Sequence, residues 1–304
     1  MNVPARVRIV EVGPRDGLQN EPAPIATADK IAFVDRLSAA GHSVIEVSAF
    51  VSPKWVPQMA DAAEVFAGIT RRPGTRYSAL VPNATGLARA VEARVDEVAI
   101  FAAASESFSK RNINQTIAES LVTYRDVCAR ARDAGLPVRA YVSTAFGCPF
   151  EGLVSPAAVA DVSAQLIEMG AYAVAVSDTI GVAHPAQVPV VLDAVTRRVP
   201  LHQIALHFHD TRGTALANVL AALQYGVATF DASAGGLGGC PYAPGATGNL
   251  ATEDLLYMLD GFGIETGVSL ARVLAASRAI EPKLGHSLAS RYASAVNGSS
   301  AAKE

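Results

Sequence analysis

Cysteine is scarce: Cys128, Cys148 and Cys240 are the only three in 304 residues, and no CxxC motif occurs. An odd count without paired spacing argues against a disulfide framework or a structural zinc cluster and suits a reducing cytoplasm. Aromatics make up only 6% of the chain, and no long basic run accompanies the formal charge of -3. That balance argues against a nucleic-acid-binding surface and makes a small molecule the expected partner. No stretch of about 18 uncharged apolar residues suggests a membrane span. The N-terminal MNVPARVRIVEVGPRDG lacks the apolar core of a signal peptide. A dinucleotide fingerprint is also missing. The turn after the first strand reads GPRDGLQ, and GGLGG (235–239) is followed by Pro241 and Pro244 where a helix should begin.

What the chain does have is apolar bulk, with half of its residues hydrophobic and many of those alanine or valine. Small and branched side chains suit buried parallel strands covered by close-packed helices. Strand-like runs recur as RVRIVEV, SVIEVS, RYSALVP, DEVAIFAA, VRAYVST, AYAVAVSD, QIALHFHD and, more weakly, ATFDASA. Helical stretches fall between them at 27–40, 58–69, 84–93, 115–134, 155–169, 185–198 and 213–225, with another near 251–261. SPAAVADVSAQLIEMG shows managed helix ends: a serine cap, a first-turn proline and a closing Gly170. Eight strand–helix units over about 260 residues predict a (β/α)8 TIM barrel. We read residues 1–304 as a single domain, with the barrel at about 6–265 and a C-terminal helical extension at about 268–292. The final AVNGSSAAKE reads as a loose polar tail. A doubly wound open sheet is the structural alternative.

In a barrel, chemistry belongs at the carboxyl ends of the strands. Arg15 and Asp16 follow the first strand, Glu46 lies in the second, Asp178 ends the sixth, and His207 and His209 sit in HFHD at the end of the seventh. The loop after the eighth, GGLGGCPYAPGATGN, contributes Cys240 and Asn249. Residues two apart on a strand face the same way, so the two imidazoles can share one metal ion. Two satisfied rim histidines are the plainer reading. Asp16 and Asn249 add oxygen ligands, a mixed set suited to magnesium or manganese, with cobalt or catalytic zinc left open. Arg15 is either half of a surface ion pair or a cation placed to stabilise an oxyanion. Asp178 either caps the next turn or moves a proton. Glu46, a carboxylate in an apolar run, needs a partner and a shifted pKa. Cys240 is either an incidental loop cysteine or a thiol brought in by a flexible loop.

Taken together, EVGPRDGLQNE, FVSPKWVPQMAD, AASESFSKRNIN, GCPFEG, SDTIGV, HFHDTRGTALAN and GGLGGCPYAPGATGNLATEDLLYML resemble the 3-hydroxy-3-methylglutaryl-CoA lyases of the DRE-TIM metallolyase superfamily. The resemblance runs from about Val7 to Val268. It implies a barrel that cleaves a 3-hydroxyacyl-CoA by a retro-Claisen reaction, giving acetyl-CoA and acetoacetate from the namesake substrate. It implies a divalent metal, Mg2+ or Mn2+, on Asp16, His207, His209 and Asn249, and catalytic roles for Arg15, Glu46, Asp178, His207 and Cys240. Arg15, Gln19, Lys110 and Asn112 are the expected substrate contacts, and a homo-oligomer, dimer or tetramer, is the expected assembly. Ala49, Phe208 and Ala175 depart from the family pattern. Two lost hydroxyls near the acyl group would leave a more apolar pocket, open to a longer acyl chain, while strand alternation turns Phe208 away from the metal. A related aldolase or acyl-CoA/2-oxo acid condensing enzyme is the second enzymatic reading, and a non-catalytic CoA-ester binder the third.

Overall fold

The computed structural model describes residues 3–239 and 248–301, with side chains described as far as residue 296. Eight parallel strands close into a barrel in sequence order. They are β1 (Arg8–Glu11), β2 (Val44–Ala49), β3 (Arg76–Leu80), β4 (Glu97–Ala103), β5 (Val138–Ser143), β6 (Ala171–Asp178), β7 (Ile204–Phe208) and β8 (Thr229–Ala232). Closure is direct, β1 pairing with β8 over Arg8–Glu11, so the sheet has no free edge and the doubly wound alternative is excluded.

Around it run α1 (Thr27–Ala39), α2 (Ala62–Gly68), α3 (Ala84–Glu92), α4 (Glu106–Ile113), α5 (Ile117–Asp133), α6 (Pro156–Glu168), α7 (Gln187–Thr196), α8 (Ala215–Tyr225) and α9 (Thr252–Gly261). Two more, α10 (Leu270–Leu284) and α11 (Arg291–Ala301), form the C-terminal extension. Gly285, at φ 78°, ends α10 in the left-handed region and splits what the sequence suggested was one segment. The stretch read as a loose tail is helical through Ala301. The start of α11 is docked on α9 by Asp254, which accepts from Ser290 Oγ at 2.8 Å, Arg291 N at 3.1 Å and Tyr292 N at 2.9 Å.

Helix α4 was not foreseen, although its signal is local: Ser105 Oγ accepts from Phe108 N at 3.2 Å, and Asn114 closes the helix at φ 55°. Helix α6 keeps the ends read from the sequence, with Ser155 as cap and Pro156 in the first turn.

Phe208 on β7 packs against Phe146 in the loop after β5, with ring centroids 5.7 Å apart. Among the strand residues, Glu11, Glu46, Arg139, Asp178, His207 and Asp231 are charged or titratable and buried. Among the described residues, no helix is long and apolar enough to cross a membrane.

Candidate active site

The first site element is a π-helical turn, Gly13–Gly17, spelled GPRDG. Buried Glu11 anchors it: one carboxylate oxygen accepts from Gly13 N at 2.8 Å and Ala234 N at 2.9 Å, and the other accepts from Thr252 Oγ1 at 2.8 Å. The turn thus tilts Arg15 and Asp16 over the barrel mouth. Gly17 is required by close approach, since a β-carbon there would lie 2.9 Å from both Leu237 Cβ and Ser233 Oγ. Gly238, at φ 110°, is the matching position on the loop after β8.

Arg15 is gripped from two sides: its Nε donates to Glu46 Oε1, and its Nη1 donates to Asp16 Oδ1 at 2.6 Å. Tyr141 donates its hydroxyl to the other Glu46 oxygen at 3.0 Å, and its ring centroid lies 5.7 Å from the Arg15 guanidinium carbon. Burial raises the Glu46 pKa against the opposing charge of Arg15. For Asp16, burial acts upward too, but Arg15 and the two histidines outweigh it and hold the carboxyl below its ordinary range.

Asp16, His207 and His209 present ligand atoms that all lie within 4.8 Å of one another. Both histidines use Nδ1 for a fixed acceptor: His207 meets Asp231 Oδ2 at 3.1 Å, and His209 meets the Asp178 carbonyl at 2.8 Å. Those contacts place the donor proton on Nδ1 and leave the Nε2 lone pairs for a cation. Asn249, next to His209 through an isolated antiparallel bridge, donates its amide to Asp16 Oδ2 at 2.9 Å and to the Leu237 carbonyl at 3.0 Å. Its Oδ1 is buried without a hydrogen-bond partner among the described residues. A buried amide oxygen left unpaired beside a carboxylate and two bare imidazole nitrogens fits a divalent cation.

Burial lowers the His209 pKa to about 4, helped by the neighbouring His207. His207 goes the other way: burial lowers it, but the Asp231 hydrogen bond and the charge of Asp16 prevail and raise it.

The site opens into a cavity of about 770 Å³ that takes in Arg15, Asp16, Gln19, His207 and His209 at one end and Trp55, Arg111 and Asn112 on its walls. Several expectations need correction. Lys110 does not line this cavity, while its neighbour Arg111 does; on α4, successive residues point in different directions. Ala49 and Ala175 are both 0% exposed and belong to the hydrophobic core rather than the cavity wall, so they lend no support to an enlarged acyl pocket. Asp178 stands off this cavity, its two oxygens accepting from Val182 N at 2.9 Å and Ala183 N at 3.0 Å. It caps the loop after β6, and burial raises its pKa to about 6 against those donors. Cys240 lies outside the described residues.

Sequence reasoning missed Tyr141, Asp231 and Arg139. The signal was available in the last two, since a charged residue inside an apolar strand demands a partner, the argument already applied to Glu46.

Comparison with known proteins agrees with this geometry. The HMGL-like family model matches residues 6–280. A Pseudomonas aeruginosa protein named 3-hydroxy-3-isohexenylglutaryl-CoA/hydroxy-methylglutaryl-CoA lyase is 55% identical, the match covering 97% of this chain and 99% of that one. A crystal structure of hydroxymethylglutaryl-CoA lyase from Pseudomonas aeruginosa superposes with a TM-score of 0.96 at 54% identity, covering 98% of this chain and 100% of the other. An HMG-CoA lyase from Acinetobacter baumannii, solved with coenzyme A and 3-methylmalate, matches at 41% identity and a TM-score of 0.91, covering 95% of each chain.

Proposed function

We propose, from the premise that this chain belongs to the HMGL-like family, that it is a carbon–carbon lyase cleaving 3-hydroxy-3-methylglutaryl-CoA to acetyl-CoA and acetoacetate. The observation that carries the reading is the convergence of Asp16, His207 and His209, with the unpaired Asn249 oxygen, beside a buried arginine at the barrel mouth.

Those four residues would hold the metal, and the mixture of hard oxygens and imidazoles favours Mg2+ or Mn2+. Such an ion supplies Lewis-acid polarisation of the substrate's oxygens and makes the 3-hydroxyl more acidic. Cleavage removes the 3-hydroxyl proton, breaks the bond between C2 and C3, and leaves the electron pair on a thioester enolate. Glu46 stands off the cavity wall with its oxygens on Arg15 and Tyr141, so it is assigned the fixing of Arg15, and the released proton passes to water in the open cavity. The Arg15 guanidinium, fixed by Glu46 and Asp16, would steady the enolate oxygen. Cys240 is assigned the return of a proton to the enolate carbon, which releases acetyl-CoA. With Nε2 reserved for the metal and Nδ1 engaged by Asp231, His207 is assigned ligation rather than free proton exchange. Asp178 is assigned loop capping and support of His209 through its carbonyl.

Gln19, Arg111 and Asn112 on the cavity wall are the proposed contacts of the CoA moiety. The reading extends to a cytoplasmic homo-oligomer, dimer or tetramer, with the whole chain as one catalytic unit.

The relative named for both a 3-isohexenyl and a 3-methyl substrate favours a second reading, in which the longer homologue is the preferred substrate. Steady-state rates on the two CoA esters decide between them: a higher kcat/KM on the methyl ester supports the first. Condensation of acetyl-CoA with a 2-oxo acid, and no cleavage of either ester, would reject both.

A further inference from the structure

Asp231 and Arg139 belong to no part of the proposed chemistry, yet both lie inside the barrel, 1% and 2% exposed. Arg139 Nη2 donates to Asp231 Oδ1 at 2.6 Å and Nη1 to Oδ2 at 3.3 Å, a two-point grip that fixes the carboxylate plane. The same Oδ2 faces His207 Nδ1 at 3.1 Å. Neither Asp231 nor Arg139 lines the cavity, so neither can touch substrate there.

We propose that Asp231 is a positioning residue: held by Arg139, it locks His207 in the tautomer and ring orientation that aims Nε2 at the metal. An ionised carboxylate only accepts hydrogen bonds, so the imidazole partner must carry its proton on Nδ1. The arrangement also sets the two histidines apart. His209 leans on a backbone carbonyl, which no side-chain substitution removes, whereas His207 depends on one carboxylate and on the arginine that orients it. Tyr141 completes the clamp, its ring edge-on to His207 at 6.1 Å and its face 4.8 Å from the Arg139 guanidinium carbon.

The inference rests on the metal-site reading, so the test begins with the full chain, stripped of metal and titrated with Mn2+ by EPR. Asp231→Asn should weaken Mn2+ binding by about 10- to 100-fold, because the amide can turn its NH2 toward Nδ1 and drive the imidazole proton onto Nε2. That variant leaves Arg139 buried without its partner. The double variant Arg139→Gln with Asp231→Asn removes both charges and is titrated alongside it, with circular dichroism reporting folding. A third measurement needs no variant: 15N NMR of histidine-labelled, Mg2+-loaded wild type should show the His207 proton on Nδ1. Mn2+ affinity within about twofold of wild type in either folded variant, or a bare Nδ1 in wild type, overturns the proposal. If wild type itself binds no Mn2+, the metal-site reading beneath it falls instead.

Discussion

Asn249 donates its side-chain amide to Asp16 Oδ2 at 2.9 Å across a separation of 233 residues, joining the loop after β8 to the turn after β1. The contact orients both groups at once and leaves Asn249 Oδ1 buried without a hydrogen-bond partner among the described residues. Replacing Asn249 with alanine removes the proposed ligand oxygen and strands the Leu237 carbonyl, which loses its donor. We predict at least about tenfold weaker Mn2+ binding, equivalent to about 1.4 kcal/mol, measured by titration of the metal-free protein.

Arg15→Lys should separate charge from geometry. Lysine keeps the positive charge but cannot donate through Nε to Glu46 and Nη1 to Asp16 together. We expect kcat to fall by about 100- to 1000-fold, with a much smaller change in KM. A loss confined to KM would show that Arg15 serves binding alone.

Trp55 is the single tryptophan of the chain and is 87% exposed on the wall of the active-site cavity. Its emission therefore reports one place. Saturating CoA should quench or shift that emission, and Trp55→Ala should raise KM while leaving kcat near wild type, the pattern of lost uniform binding. Unchanged fluorescence at saturation would move CoA to another wall.

Glu11 gives stability a pH dependence. Burial raises its pKa from 4.5 to about 8 in the folded protein, so between those values the native state holds a proton that the unfolded chain has released. Its stabilising contribution is full below 4.5 and is lost as pH rises through about 8. Wild-type Tm should therefore fall relative to Glu11→Gln, which keeps an acceptor for Gly13 and Ala234 without titrating. Parallel thermal melts across that range check it; a constant difference between the two proteins would contradict the assignment.

The barrel was legible because strand and helix periods alternate along the whole chain, and β7 was legible in particular because period-two spacing puts His207 and His209 on one face. Arg15, Asp16 and Asn249 followed from where strands end. Legibility failed where tertiary packing overrides local pattern. The register shift between Glu46 and Ser48 breaks the alternation of β2 before it reaches Ala49, so the facing of that alanine could not be counted along the strand. Asp178 sits at a strand end in sequence, but only the fold shows that Val182 N and Ala183 N occupy its carboxylate. Arg139 and Asp231 lie 92 residues apart, and nothing local connects them.

The central claim is that one divalent ion sits among groups from the turn after β1, the end of β7 and the loop after β8. Anomalous diffraction from crystals soaked in Mn2+ tests it directly. The account predicts a single strong peak within bonding distance of Asp16, both His207 and His209 Nε2 atoms, and Asn249 Oδ1; a peak elsewhere, or one that leaves His209 out, would contradict it.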